Sequence, residues 1–247
     1  MLHHGDYREV LTHVRADLIF TSPPYNIGGG KRARNDARRG GDGRDHRMYS
    51  SVRDYDDCLP EQEYQDQQAA FLVWCAGHLN PGGTVVYNHK PRQRDKTLID
   101  PHRWLLRPEV EAALVEATYP VTWDRGSTHN MSPSLVWQRT ETLYILRRAQ
   151  DRKAWSMRNT GRQYPFDIWR IPHDSRLPAR YGHCSPFPVQ LASAVIDMWS
   201  TPGQLVCDPY AGSGTVAVAA ADCHREFEGA EIRADYYKTA LRRITAT

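Results

Sequence analysis

The sequence predicts an α/β fold, a mostly parallel sheet with helices on both faces, and three stretches carry that reading. Residues 204–208, a glycine turn, an alanine-rich segment over 216–221 and residues 226–231 read as strand, turn, helix and strand, a βαβ unit. Residues 17–20 are a short apolar run cut off by Thr-Ser-Pro-Pro, a buried strand opening straight into a loop. Residues 61–79 carry apolar or aromatic side chains at 64, 71, 72, 75 and 79 and stop at Pro-Gly-Gly, so a helix precedes the strand 83–88.

The other elements follow in order. Residues 28–47 are rich in glycine and arginine without periodicity and read as a mobile loop. Residues 89–107 are basic, punctuated by proline and carry no regular signal. A helix with proline at its start is expected over 108–118, strands over 121–123 and 142–146, and a short strand near 166–171. An apolar-rich helix spans 188–200 and a closing helix 234–244, and no internal repeat is visible. The 247 residues suffice for one large domain with a full core, so 1–247 is read as a single domain.

Composition narrows the class. With 25% charged and 40% hydrophobic residues the chain reads as soluble and globular. No apolar run approaches bilayer length, and the first residues lack the order of a signal peptide, so a cytoplasmic location is the default. Five cysteines stand at 58, 75, 184, 207 and 223, an odd number with no C-x-x-C pair, so no metal site is expected despite 11 histidines. His3 and His4 are read as strand or surface residues. The net charge of +3 conceals a concentration: residues 29–47 hold seven basic against three acidic side chains, and 147–180 hold nine against three. The remainder is net negative, and the two basic stretches suit a polyanion-binding surface.

The glycine turn Asp208-Pro209-Tyr210-Ala211-Gly212-Ser213-Gly214-Thr215 closes the strand of the βαβ unit, where ligands of parallel sheets bind. Gly212 and Gly214 permit a tight turn and close backbone approach, and the helix N-terminus behind them favours an anionic group. Glu231 ends the second strand, where an acid accepts both hydroxyls of a ribose. A nucleoside-containing cofactor follows. Asp208 beside the turn would repel a pyrophosphate and suits a cationic ligand, and S-adenosylmethionine, with its sulfonium and ammonium, has that charge. The turn alone also admits an ordinary strand–helix connection with small residues for packing.

The second motif is Thr21-Ser22-Pro23-Pro24-Tyr25-Asn26. Two prolines fix φ and remove two amide donors, so the loop is stiff. An exocyclic amine on a nucleobase is a poor nucleophile because its lone pair is delocalised into the ring. Acceptors around its two N–H groups favour the tetrahedral geometry that attack requires. Ser22 Oγ and the carbonyl of Pro23 are candidates for those acceptors, preorganised by the prolines. Tyr25 supplies a flat ring for an extruded base.

Together these residues resemble a known family. Thr21–Asn26 is similar to the catalytic motif of the N4-cytosine/N6-adenine DNA methyltransferases, and Asp208–Thr215 looks like their cofactor motif. Catalytic motif first and cofactor motif last is the circularly permuted order of the beta group. The resemblance extends to Gly5-Asp6, with Asp6 near the cofactor adenine, and to Gly229-Ala230-Glu231, with the acid on the ribose. It also covers 183–188, including Phe187, at the methionine end of the cofactor, although Cys184 stands where the family usually has proline. It implies a Rossmann-like S-adenosylmethionine-dependent methyltransferase fold with a permuted start. A catalytic half lies over about 1–88, a target-recognition and connecting region over about 89–182 and a cofactor-binding half over about 183–247. Thr21 joins the cofactor residues, and Ser22, Pro23, Pro24 and Tyr25 are the catalytic set. Ser22, where many adenine enzymes have aspartate, leans towards N4 of cytosine.

The implied substrate is double-stranded DNA with a flipped target base. Lys31, Arg32, Arg34, Arg38 and Arg39 are expected to close over it, and Arg152, Lys153, Arg158 and Arg162 to reach the groove. A homodimer and a cognate restriction endonuclease are partners the resemblance leaves open. N6-adenine methylation, methylation of RNA or of a protein amide, and a catalytically inactive DNA-binding protein on the same fold are the rival readings. A nicotinamide dehydrogenase is disfavoured by the glycine spacing.

Overall fold

The computed structural model describes residues 1–27, 59–94, 96–128, 136–151, 166–174, 176–177, 181 and 186–246. Its centre is β2 (Ala16–Thr21), where five of six residues are buried. A strand covered on both faces is uniformly apolar, which is why Leu18, Ile19 and Phe20 run consecutively. β2 pairs in parallel with β3 (Leu79–His89) on one side and β10 (Leu205–Asp208) on the other. β10 pairs in parallel with β11 (Glu226–Glu231), and β11 with the short β1 (Leu2–His4). Beyond β3 the sheet turns antiparallel through β8 (Thr140–Arg148) and β7 (Val121–Asp124), with β9 (Ile168–Arg170) parallel to β7. Among the described residues the sheet has nine strands, in the order β1-β11-β10-β2-β3-β8-β7-β9 with β6 (Leu114–Glu116) also on β8.

Two apolar layers sandwich it. On one face α2 (Glu61–Gly77) lays Tyr64, Phe71, Leu72 and Cys75 against Ile19, Val85 and Tyr87. Glu61 and Glu63 in its first turn complement the positive end of the helix dipole. On the other face α5 (Val189–Trp199) and α6 (Thr215–Asp222) pack Leu191, Val195, Ile196, Val216 and Ala219 against Leu18, Phe20 and Val206. Between β1 and β2 lies the single turn α1 (Tyr7–Val10). The closing helix α7 (Ala234–Ile244) sets Ala240 beside Leu2 and Ala211.

The chain leaves β2 through α2 towards β3 and leaves β10 through α6 towards β11, in opposite directions along the sheet. The two helices therefore fall on opposite faces, and the order reverses between β2 and β10. In open parallel sheets such a reversal opens a crevice at the carboxyl ends of the strands.

Several expected elements differ. The helix expected over 108–118 ends early: α4 is Pro108–Ala113, and Leu114–Glu116 turns into β6 because it pairs with the edge Leu146–Arg148 of β8. Residues 89–107, without a regular signal in the sequence, hold a hairpin of β4 (Arg92–Arg94) and β5 (Thr97–Ile99) and one turn of helix, α3 (His102–Leu105). The Pro-Gly-Gly after α2 stays inside β3 as a bulge, since Leu79 pairs with Ala16 and the next partner of β2, Leu18, faces Thr84. Among the described residues no helix is long and apolar enough to cross a membrane. His3 lies in β1 bonded to Glu228 at 2.6 Å, and His4 stacks on Tyr237, as strand residues would.

Candidate active site

Because β2 and β10 are parallel neighbours, with Val206 facing Leu18 and Cys207 facing Ile19, their carboxyl ends open side by side. The loop Ser22–Tyr25 leaves one and the turn Pro209–Gly214 the other, so motifs about 190 residues apart share one crevice.

On the β10 side the turn is built around two buried carboxylates. Asp208 is 2% exposed and Oδ1 accepts the Tyr210 N–H at 3.1 Å. Burial pushes this carboxyl up to about 7; the Thr21 hydroxyl and the Tyr210 amide offset it only in part, and Glu231 adds to it. Glu231 Oε2 accepts the Gly212 N–H and Oε1 the Arg233 N–H, each at 2.8 Å. Burial likewise raises its pKa, against those two amides. The acid read as a ribose ligand thus also staples the glycine turn. Gly214 has φ 78°, and a Cβ there would meet Ala240 Cβ at 2.9 Å, so both backbone and space demand glycine. Arg243 donates to the Ser213 carbonyl, Ser213 Oγ and Thr215 Oγ1 at 2.7, 2.9 and 3.1 Å, fixing the far side of the turn. Pro209 and Ala211 are buried, and Tyr210 packs between Tyr7 and Phe71.

Asp6 follows β1, whose His4 faces Glu231. Its carboxylate caps α1 through the Arg8 N–H at 2.9 Å and pairs with the Arg8 guanidinium at 2.6 and 2.9 Å. Those bonds hold it below the usual carboxylate range. Phe187 lies against Phe20, the residue before Thr21, with ring centroids 5.3 Å apart. Thr21 is fully buried at the end of β2.

These residues fit S-adenosylmethionine. Two buried carboxylates are held above their ordinary pKa, Asp208 with no cation beside it among the described residues and Glu231 offset only in part by Arg233, and a ligand bearing an ammonium and a sulfonium supplies further positive charge. A phosphate-bearing nucleotide would add negative charge instead.

On the β2 side the loop is tied down by named partners. The Pro24 carbonyl accepts the Tyr64 hydroxyl at 2.8 Å, and Tyr64 is bonded in turn to His89 Nε2 at 2.7 Å. Burial pushes His89 down to about 3, so its imidazole is neutral. Among the described residues the Pro23 carbonyl receives no hydrogen bond. Asn26 closes the loop at φ 55°, its Nδ2 donating to the Leu59 carbonyl at 3.0 Å. Tyr25 tilts its ring 38° on His89 at 4.4 Å, and its hydroxyl lies 2.9 Å from Ser22 Oγ.

Sequence reasoning missed the layer beneath this loop. Tyr64, Asn88, His89, Lys90 and Glu141 lie around Tyr25, with Arg125 behind Glu141, and they come from α2, β3, β8 and the residues that follow β3 and β7. The available signal was Glu141, a charged residue opening an apolar run; pairing with β3 and β7 carries it into the crevice. The expected DNA contacts Lys31, Arg32, Arg34, Arg38, Arg39, Arg152, Lys153, Arg158 and Arg162 lie outside the described residues, as do 183–185.

Comparison with known proteins bears on the same elements. The solved structure of PvuII DNA methyltransferase (cytosine-N4-specific) matches with a TM-score of 0.73 at 19% identity, over 98% of this chain and 85% of that one. The M1.HpyAVI–SAM complex matches with a TM-score of 0.65 at 17% identity, over 98% of each chain. At such identities these likenesses describe the fold. DNA adenine methyltransferase YhdJ of Escherichia coli (strain K12) is 37% identical over 81 residues, 32% of this chain and 28% of that protein, so the match spans less than a third of that relative. The family model N6_N4_Mtase, described as DNA methylase, matches residues 16–242, from the first residue of β2 into α7. A match that runs through both lips of the crevice and nearly the whole sheet places this chain in the N6/N4 DNA methylase family.

Proposed function

We propose that this protein is an S-adenosylmethionine-dependent DNA methyltransferase acting on the exocyclic amine of a flipped base, N4 of cytosine. One observation carries the reading: the parallel pairing of β2 and β10 makes the Ser22–Tyr25 loop and the Asp208–Thr215 turn two lips of one crevice. All three stretches of the chain feed the same sheet, which supports reading 1–247 as one catalytic domain.

Asp208, Pro209–Thr215 and Glu231 would hold the cofactor, with Asp6, Thr21 and Phe187 bordering it. When bound, it supplies an electrophilic methyl group on a sulfonium. The rest of the chemistry belongs to the chain. Ser22 Oγ and the Pro23 carbonyl accept the two N–H bonds of the amine and draw its nitrogen towards a tetrahedral geometry. Prolines 23 and 24 hold those acceptors in place before the base arrives, and Tyr25 lines its pocket. The flip costs a few kcal/mol, which phosphate contacts from the basic stretches 29–47 and 147–180 would offset. A second copy and a cognate restriction endonuclease stay open as partners.

The test is incubation with mixed-sequence duplex DNA and labelled S-adenosylmethionine, followed by nucleoside mass spectrometry. N4-methylcytosine is the expected product. N6-methyladenine would favour the second reading, which the name of the Escherichia coli relative supports. Label on RNA or protein but on no DNA would overturn both.

A further inference from the structure

Glu141 is 5% exposed and has four partners. Oε2 accepts from the Tyr25 hydroxyl at 3.1 Å and from Asn88 Nδ2 at 3.1 Å. Oε1 accepts from Arg125 Nη1 at 2.9 Å and from Lys90 Nζ at 3.5 Å. Burial alone would push this carboxyl up, but Lys90 and Arg125, with the bonds from Asn88 and Tyr25, hold it below its ordinary value. It is therefore an ionised carboxylate, which only accepts hydrogen bonds.

A sequence of forced choices follows. The Tyr25 hydroxyl has one proton. Besides Ser22 it faces Glu141 Oε2 and, at 3.3 Å, the Asn88 carbonyl. Both are acceptors, so the proton points at them. Tyr25 Oη can then meet Ser22 Oγ only as an acceptor, and the Ser22 proton is committed to the 2.9 Å bond between them. A hydroxyl whose single proton is committed offers only lone pairs to anything else.

We propose that Glu141 is a positioning residue that acts through Tyr25 to orient the Ser22 hydroxyl, so that Oγ faces the substrate amine as an acceptor and never as a donor. This inference rests on the reading of the loop as an amine-methylating site. Glu141 does not take up the amine proton here, because the paired cations make it a weak base. Its charge fixes the direction of two hydrogen bonds. The device uses the phenol of Tyr25, a part of that residue which base stacking leaves without a task.

Steady-state kinetics on wild type, Glu141→Gln, Tyr25→Phe and the double variant test it. In Glu141→Gln the amide oxygen is claimed by Arg125 and Lys90, so its NH2 faces Tyr25 Oη and Asn88 Nδ2, and of the two acceptors that fix the Tyr25 proton only the Asn88 carbonyl, at 3.3 Å, is left. We expect kcat to fall about tenfold or more, with KM for DNA and the cofactor Kd within about twofold of wild type. Tyr25→Phe should lose a similar factor while keeping the ring. The double variant should match Tyr25→Phe alone. Multiplying losses, or an undiminished kcat in either single variant, would overturn the proposal. If Glu141→Gln fails to fold, Tyr25→Phe decides in the same way. A readout independent of turnover is the Cζ resonance of Tyr25 in 13C-tyrosine-labelled protein, assigned by its loss in Tyr25→Phe. It should move in Glu141→Gln, and an unmoved resonance sinks the proposal. Wild-type protein that methylates no DNA would instead count against the functional reading, and the resonance still reports on Glu141.

Discussion

Asp208 and Glu141 are buried carboxylates on either side of the same crevice, and their surroundings push them in opposite directions. Asp208, at the end of β10, has amide and hydroxyl neighbours and is raised to about 7. Glu141, on β8, lies within hydrogen-bond reach of Lys90 and Arg125 and is held low. Desolvation disfavours both charges equally in kind; the difference is whether the protein supplies the counter-charge. A carboxylate already neutralised is framework. One left uncompensated suits a cationic ligand. On the proposed reading one side of the crevice binds the cofactor and the other holds a geometry.

The sharpest break of that comparison is Ser22→Ala. The acceptor facing the amine disappears, and kcat should fall about 10²-fold or more while cofactor affinity, set on the other side, stays unchanged in a calorimetric titration. A parallel loss of cofactor binding would mean that the two sides are not separate.

Glu141→Ala comes next and acts on stability. It leaves Arg125 and Lys90 without their counter-charge, at about 3 kcal/mol, the lower end of the range for a broken buried pair because Lys90 keeps some water. A thermal melt should show Tm lowered by about 6–12 °C. An unchanged Tm would remove Glu141 from the framework.

Gly214→Ala tests the turn itself. Positive φ and the approach of Ala240 should together cost about 1–3 kcal/mol and weaken cofactor binding, read from the same melt with and without cofactor.

The Asp208 environment makes a prediction in pH. Its carboxyl binds a proton in the folded protein well above its unfolded value of 3.8, so its contribution to apo-protein stability is present at acid pH and lost as pH rises from about 4 through about 7. A cationic ligand prefers the ionised form. Cofactor affinity should therefore rise about tenfold between pH 6 and pH 8 and then level off, with a proton released on binding. Asp208→Asn should flatten both profiles; a pH-independent affinity in wild type would show that Asp208 is compensated after all.

The smallest effect is expected at Arg8→Ala. The Arg8 side of its pair with Asp6 is largely exposed, so stability should change by about 0.5 kcal/mol or less in a denaturant titration.

Much of this architecture was legible in the sequence where the signal is local. An apolar run stopped by Ser-Pro-Pro is a strand and a stiff loop in any context, and 226–231 and 234–244 form the elements expected of them. The glycines of the 208–215 turn announce a backbone that other residues resist, and Gly214 has that backbone. Helix propensity misled at 114–118, because the free edge of β8 offered Leu114–Glu116 backbone partners that a helical window does not reveal. The hairpin Arg92–Ile99 was illegible because part of what anchors it, Arg92 and Arg94 reaching Glu61 on α2, lies about thirty residues earlier.

The chain by itself determined which residues would line each lip of the crevice, since turn geometry, burial and motif chemistry depend on near neighbours. Only the tertiary structure decided that the lips meet, through the pairing of β2 with β10, and which carboxylate is neutralised. The partners of Glu141 come from the ends of β3 and β7 and from the loop after β2, and among the described residues Asp208 has no cation beside it. Electrostatic compensation depends on distance in space, and sequence spacing does not encode it.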